Sequence, residues 1–219
     1  MGRGSILTKE QKIILGEFKK DDWLSSLFYF TGGTALSEFY LQHRLSDDLD
    51  FFTQGTFDSE PVFAAVNSWS KKHGFTIELK SHGLVYTYFF KFKGGKTLKV
   101  DFARYPYPSI EKPKVSGNLK IDSLYDIAAN KLLTINQRTN VKDFVDLYFL
   151  LKKFNFWQLK DGVIAKFNME LDLNYTAVDF MKVDKFESLP RMLKKLELST
   201  VKEFFRNQAK RWAELTFKT

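Results

Sequence analysis

The segment Leu27-Phe28-Tyr29-Phe30-Thr31-Gly32-Gly33-Thr34-Ala35-Leu36 constrains this chain more than any other, because a hydrophobic run ends on two glycines and passes directly into helix-forming residues. Two adjacent glycines let the backbone turn sharply, and Thr34 is placed to cap a helix reaching Gln42. Free amides at such a helix start attract phosphate. Beyond 14 intervening residues after Gly33 come Asp48 and Asp50, spaced i and i+2 among Leu49, Phe51 and Phe52. On a strand that spacing points both carboxylates to one side. Two carboxylates roughly 4 Å apart repel by about 4 kcal/mol at an effective dielectric near 20. A hard divalent cation removes that cost, and magnesium binds through one or two carboxylates plus water and substrate phosphate, as phosphoryl and nucleotidyl transfer require. Taken singly, Gly-Gly-Thr is an ordinary turn and Asp-x-Asp an ordinary strand end. Joined, with Arg44 and Ser46 between them, they point to a nucleoside triphosphate site.

With 219 residues and 44% hydrophobic content, the chain is long enough for one larger domain or two compact lobes. Its 23 phenylalanines argue for a packed interior rather than disorder. The absence of cysteine removes disulfides, thiolate zinc sites and cysteine nucleophiles together, and suits a reducing compartment. His43, His73 and His82 have no paired spacing, which leaves a histidine metal site or a serine hydrolase without support. No apolar run reaches bilayer length, and Met1 to Ser5 carries no signal core, so a soluble cytoplasmic protein without a membrane partner is expected. The 34 lysines and arginines against 26 acids, net +8, favour a polyanionic partner, or serve ordinary solubility.

Along the chain, Thr8-Lys9-Glu10-Gln11 has capping-box form and opens a helix to about Lys19. A strand over 27–31, a helix over 34–42, a strand over 48–53 and a helix over 59–72 stopped by Gly74 follow. Strands are expected at 75–80, 84–92 and 97–104, the last two joined by Gly94-Gly95. A proline-bearing connector, Tyr105 to Gly117, ends this α/β lobe, residues 1–110. Residues 118–219 read as a helical lobe with helices near 122–138, 142–154, 156–167, 175–183 and 200–215. The fold class is α+β: a mixed sheet flanked by helices, then a C-terminal helical lobe.

Asp101 ends the apolar strand Thr97-Leu98-Lys99-Val100-Asp101-Phe102, so neighbouring strands would bring it beside Asp48 and Asp50 as a third metal carboxylate or a general base. In the first helix of the second lobe, Leu124, Ala128, Lys131, Ile135 and Arg138 recur at helical spacing, which sets two cations on an apolar stripe. They either snorkel from the core edge or face a cleft and hold triphosphate oxygens. Asp143 and Asp146, one turn apart, are explained by capping and by pairing with Arg138 or Lys142.

Assembled in order, Gly32-Gly33-Thr34-Ala35-Leu36, Arg44-x-Ser46-x-Asp48-x-Asp50-Phe51, Asp126-Ile127-Ala128-Ala129-x-Lys131 and Arg138-x-x-x-Lys142-Asp143-x-x-Asp146-Leu147-Tyr148 make a chain that resembles the AbiEii/AbiGii toxin family of nucleotidyltransferases, within the polymerase-β-like superfamily. The resemblance covers roughly residues 28–151 and implies metal-dependent transfer of a nucleoside monophosphate from an NTP to an acceptor. It implies that Gly32, Gly33 and Thr34 take the phosphates, Asp48 and Asp50 the Mg2+ or Mn2+, and Lys131 the triphosphate, with Arg44 and Ser46 orienting phosphate. Asp101 and Arg138 complete the expected site, with Asp101 also on the metal. The family often carries arginine at the position of Lys142, and Gly-Gly-Thr replaces the Gly-Ser of the wider superfamily. The implied partners are an NTP, an RNA acceptor such as tRNA, and a companion antitoxin. Alternatives are an inactive nucleotide- or RNA-binding module, a nucleotidyltransferase acting on a protein or small molecule, and a sugar transferase using Asp-Leu-Asp.

Overall fold

A computed structural model describes residues 4–216, with side chains through 214; Met1 to Arg3 lie outside the described residues. The chain divides into two compact units: residues 1–40 with 46–123, and residues 41–45 with 124–219.

The first unit begins with helix α1 (Lys9–Lys20), started by the expected capping box, in which Thr8 accepts from the Gln11 amide while the Gln11 side chain accepts from that of Thr8. Helix α2 (Asp22–Leu27), capped by Asp21, precedes strand β1 (Tyr29–Thr31), helix α3 (Gly32–Leu36) and strand β2 (Leu49–Thr53). Then come α4 (Ser59–His73), β3 (Thr76–His82), β4 (Val85–Lys91), β5 (Thr97–Arg104) and a short hairpin, β6 (Lys114–Ser116) and β7 (Leu119–Ile121). Gly74 ends α4 in the left-handed region, φ +69°.

Two local expectations are corrected. The helix after the glycines is not continuous from Thr34 to Gln42: α3 stops at Leu36 and Ser37–Leu41 form a π turn. The N-cap is Thr31, not Thr34, because Gly32 at φ +74° starts the turn two residues earlier. The β6–β7 hairpin also falls inside and just past the proline connector. Its three-residue strands are too short to show periodicity, and only Gly117 at φ +61° marks the turn.

The seven strands among the described residues form one mixed sheet in the order β3-β4-β5-β2-β1-β7-β6, with β2 parallel to β5, β1 parallel to β7 and antiparallel pairs elsewhere. Period-two alternation gives its two faces different chemistry. On one, Tyr86, Phe102, Phe51, Phe30 and Ile121 run side by side across five strands. The ring of Phe51 stacks on Phe18 of α1 at 4.1 Å and on Phe102 at 5.2 Å. Many of the phenylalanines that composition assigned to a packed interior are in this layer.

The second unit contains α5 (Leu124–Gln137), α6 (Val141–Leu150), α7 (Phe156–Phe167), α8 (Leu173–Met181) and α9 (Leu198–Thr216). Phe144, Phe180, Phe205 and Trp212 form its aromatic core through edge and tilted ring contacts at 4.6–5.0 Å. Gly162 lets α7 approach α5, since a Cβ there would lie 3.1 Å from the Tyr125 ring. Lys166 and Asp126 are both buried and pair at 2.8 Å.

Phe51 touches α1 and two neighbouring strands with no exposed surface, so Phe51→Ala is expected to cost about 3–5 kcal/mol through lost burial and a residual cavity. Urea unfolding followed by circular dichroism measures it.

Candidate active site

The polar counterpart of the aromatic row lies one residue along each strand. Thr87 of β4, Asp101 of β5, Asp50 of β2 and Thr31 of β1 are successive register partners, so two carboxylates sit side by side between two threonines. The Thr87 hydroxyl donates to Asp101 Oδ1 at 2.6 Å, and that of Thr31 donates to Asp122 Oδ2 at 2.8 Å. Asp48 stands one residue before β2 and is half-buried, as are Asp50 and Asp101. Neighbouring strands place Asp101 beside Asp50, whereas Asp48 belongs to the incoming loop.

Glycine fixes the approach to this row. A Cβ on Gly32 would lie 2.0 Å from Asp50 Oδ2, and Gly32 has φ +74°. Both the backbone conformation and the space therefore demand glycine. Thr34 lies inside α3, and its hydroxyl donates to the Asp48 carbonyl. Gln11 Nε2 donates to the Ser46 carbonyl at 2.8 Å, so the capping-box residue of α1 also braces the loop that delivers Asp48. The glycine turn and the acidic loop are thus bonded to each other, and Ser46 joins this group through its backbone.

Lys99, absent from the residues singled out by sequence, enters the row. It shares the face of Asp101 two residues earlier, and its Nζ lies 2.5 Å from Asp101 Oδ2. Burial works against its charge, yet Asp101, with Asp50 and Asp48 further off, holds its pKa above the usual lysine value. The i−2 spacing on one strand was the available signal.

No group of three or more histidine and acidic side chains is gathered for a metal among the described residues. Asp48 and Asp50 fit the one or two carboxylates that magnesium needs from protein. Asp101, with one oxygen on Thr87 and the other on Lys99, is not assembled with them as a third ligand.

The remaining expected residues belong to the second unit and gather around Asp146. Arg44 grips it bidentately, Nε to Oδ1 at 2.6 Å and Nη2 to Oδ2 at 2.8 Å. His43 Nε2 reaches Oδ1 at 2.7 Å, and Lys131 Nζ reaches Oδ2 at 2.8 Å. Lys131 also bonds Asp143 Oδ1 at 2.7 Å, and Arg138 bonds Asp143 Oδ2 at 2.8 Å. Arg44, His43, Lys131, Asp143 and Asp146 are all buried, whereas Arg138 is exposed. Burial alone would raise the Asp146 carboxyl, but Lys131 and Arg44 hold it well below the usual range. For His43, burial pushes the pKa down against the opposing pull of Asp146. Arg44 and Lys131 are therefore committed to carboxylates here; of the pairing expected for Asp143 and Asp146 with Arg138 or Lys142, Asp143 pairs with Arg138, whereas Asp146 is held by Arg44, His43 and Lys131.

The sequence profile described as "Nucleotidyl transferase AbiEii toxin, Type IV TA system" matches residues 14–215. The chain belongs to this family. An uncharacterized Aquifex aeolicus protein is 33% identical over 195 residues, covering 85% of this chain and 88% of that one. Among solved structures, JHP933 from Helicobacter pylori superposes with a TM-score of 0.60 at 20% identity, covering 97% of this chain and 95% of the other. MenT4, a nucleotidyltransferase toxin of Mycobacterium tuberculosis, gives 0.53 at 17% identity, covering 93% and 88%. At these identities both show a shared fold. As an AbiEii family member the chain is an enzyme of the nucleotidyltransferase class, on the α+β scaffold that its sequence implies. Among the described residues, no helix is long and apolar enough to cross a membrane.

Gly32→Ala is expected to displace Asp50 and strain the turn, lowering the thermal midpoint and weakening Mn2+ binding, which calorimetry reads. The Asp146 cluster predicts acid sensitivity. Below about pH 6.5 the unfolded chain protonates His43 while the folded chain resists, so the unfolded state binds more protons and stability falls as pH drops. Asp143 and Asp146, with lowered values, add a loss of the same sign at still lower pH. Urea midpoints measured from pH 7.5 to 5 should fall, and His43→Gln should flatten the slope.

Proposed function

We propose that the protein transfers a nucleoside monophosphate from an NTP to an RNA hydroxyl, as the toxin of a toxin–antitoxin pair. The observation that carries this reading is the adjacency of Asp50 and Asp101 on parallel strands, with the Gly32 turn packed against Asp50. Asp48 and Asp50 would hold a magnesium or manganese ion, which when bound supplies charge neutralisation for the triphosphate and the leaving pyrophosphate. The Gly32-Gly33-Thr34 backbone would take the phosphates, beside the acidic loop that Thr34 fastens.

In the reaction, the acceptor hydroxyl gives its proton to a carboxylate, for which Asp101 is the candidate, and its oxygen bonds the α-phosphorus. The bond from that phosphorus to the α,β-bridging oxygen breaks, and pyrophosphate departs with the electron pair. Residues 1–110 are the proposed catalytic lobe and residues 118–219 the proposed acceptor lobe. Lys131, Arg138 and Arg44 would act on the triphosphate only by giving up part of their carboxylate contacts, so a structural role through Asp143 and Asp146 competes with direct phosphate binding.

Charge favours RNA as the acceptor. The second unit holds 18 of the 34 lysines and arginines but 12 of the 26 acids. Lys152, Lys153, Arg191, Lys194 and Lys195 are exposed there, with Lys152 over the Tyr148 ring at 4.2 Å and Lys194 over Phe149 at 5.4 Å. This exposed cluster of cations suits a phosphate backbone. The family description, a type IV toxin, supports the expectation of an antitoxin partner.

Incubation with each α-labelled NTP, magnesium and total RNA should label RNA, and Asp50→Asn should reduce the rate by at least about 100-fold. Label appearing on protein instead would redirect the acceptor assignment, and NTP binding with no pyrophosphate release under any condition would favour an inactive module.

A further inference from the structure

We propose that Lys99 is a built-in cation of the carboxylate row, a positioning residue that neutralises Asp101 and keeps a second divalent ion away from it. The nucleotide-free centre then loads a single ion, at Asp48 and Asp50. This inference rests on the proposed metal site and adds to it a limit on how many ions enter.

Three observations carry it. The Lys99 ammonium is 2.5 Å from Asp101 Oδ2, a direct ion pair with side chains 37% and 13% exposed. The other oxygen, Oδ1, accepts from the Thr87 hydroxyl at 2.6 Å, so each oxygen of Asp101 already has a protein partner. Asp50 is the register partner of Asp101, and Lys99 lies two residues earlier on the same strand and face. A second ion bridging Asp50 and Asp101 would therefore meet a tethered positive charge. The half-exposed lysine stem leaves the ammonium free to swing outward when substrate phosphates bring their own negative charge, which would release Asp101 for proton transfer.

Counting bound Mn2+ by electron paramagnetic resonance on the full chain without nucleotide tests this. The wild type should bind about one equivalent, through one pair of carboxylates. Lys99→Met should add a second equivalent or tighten Mn2+ by about tenfold or more, because a nearby positive charge is removed. Lys99→Gln, which keeps a donor for Asp101 without the charge, should behave like Lys99→Met, and Lys99→Arg like the wild type. Lys99→Met and Lys99→Gln binding Mn2+ as the wild type does, while Asp50→Asn abolishes binding, would overturn the inference and leave the metal site standing. Absence of specific Mn2+ binding in every form would overturn both.

Discussion

Asp50 and Asp101 are register partners on neighbouring parallel strands, and much of the first unit exists to make that placement tolerable. Adjacent strands are about 4.7–4.9 Å apart, and two unit charges at such a distance repel by roughly 3 kcal/mol at an effective dielectric near 20. A fold optimised for stability alone would not put them there. The sheet offsets the cost locally: Thr87 and Lys99 serve Asp101, and Gly32 removes the side chain that would crowd Asp50. On the opposite face, the aromatic layer from Tyr86 to Phe30 ties β4, β5, β2 and β1 together by ring packing.

The helical unit solves a second charge problem by a different means. Asp146 and Asp143 are buried with three cations, Arg44, Lys131 and the exposed Arg138, and a histidine whose neutral form is favoured by burial. Removing one member of such a cluster strands a desolvated charge, which makes it costly to break even where it adds little net stability. The bidentate guanidinium of Arg44 explains why arginine and not lysine suits that position.

Much of the candidate site's geometry is legible in the sequence because it is local. Strand alternation placed Asp101 on a face from its neighbours alone, and the glycine pair announced a turn whatever the tertiary context. What stayed hidden depended on which strand lies beside which, or on a single residue's φ. Thr34 looked like a cap because hydroxyl residues before helices are caps; its hydroxyl instead bonds a loop 14 residues away in sequence. Lys99 looks like one more strand lysine, although its i−2 spacing from Asp101 on one strand is the signal of their pair. The motif positions of Arg44 and Lys131 imply phosphate ligands, and nothing in the sequence shows that Asp146 accepts from both.

The placement of Arg44 gives the Arg44-x-Ser46-x-Asp48-x-Asp50 spacing a physical meaning beyond ligand supply. Residues 41–45 belong to the helical unit, while residues 46–50 return to the sheet unit, so the chain changes units and back around one short segment. Within the helical unit this segment is pinned by the Arg44 guanidinium on Asp146 and by the backbone bridge between Arg44 and Met192, in which the Leu45 amide donates to the Arg191 carbonyl and the His43 carbonyl accepts from the Leu193 amide, with the Lys194 amide donating to the same carbonyl. Immediately afterwards the Ser46 carbonyl is pinned by Gln11 and the Asp48 carbonyl by Thr34. Loops that carry ligands are usually the mobile part of a site. Here the backbone is anchored at His43, Leu45, Ser46 and Asp48, so the conformational entropy of placing the acidic loop is spent during folding and not at the moment of metal or substrate binding.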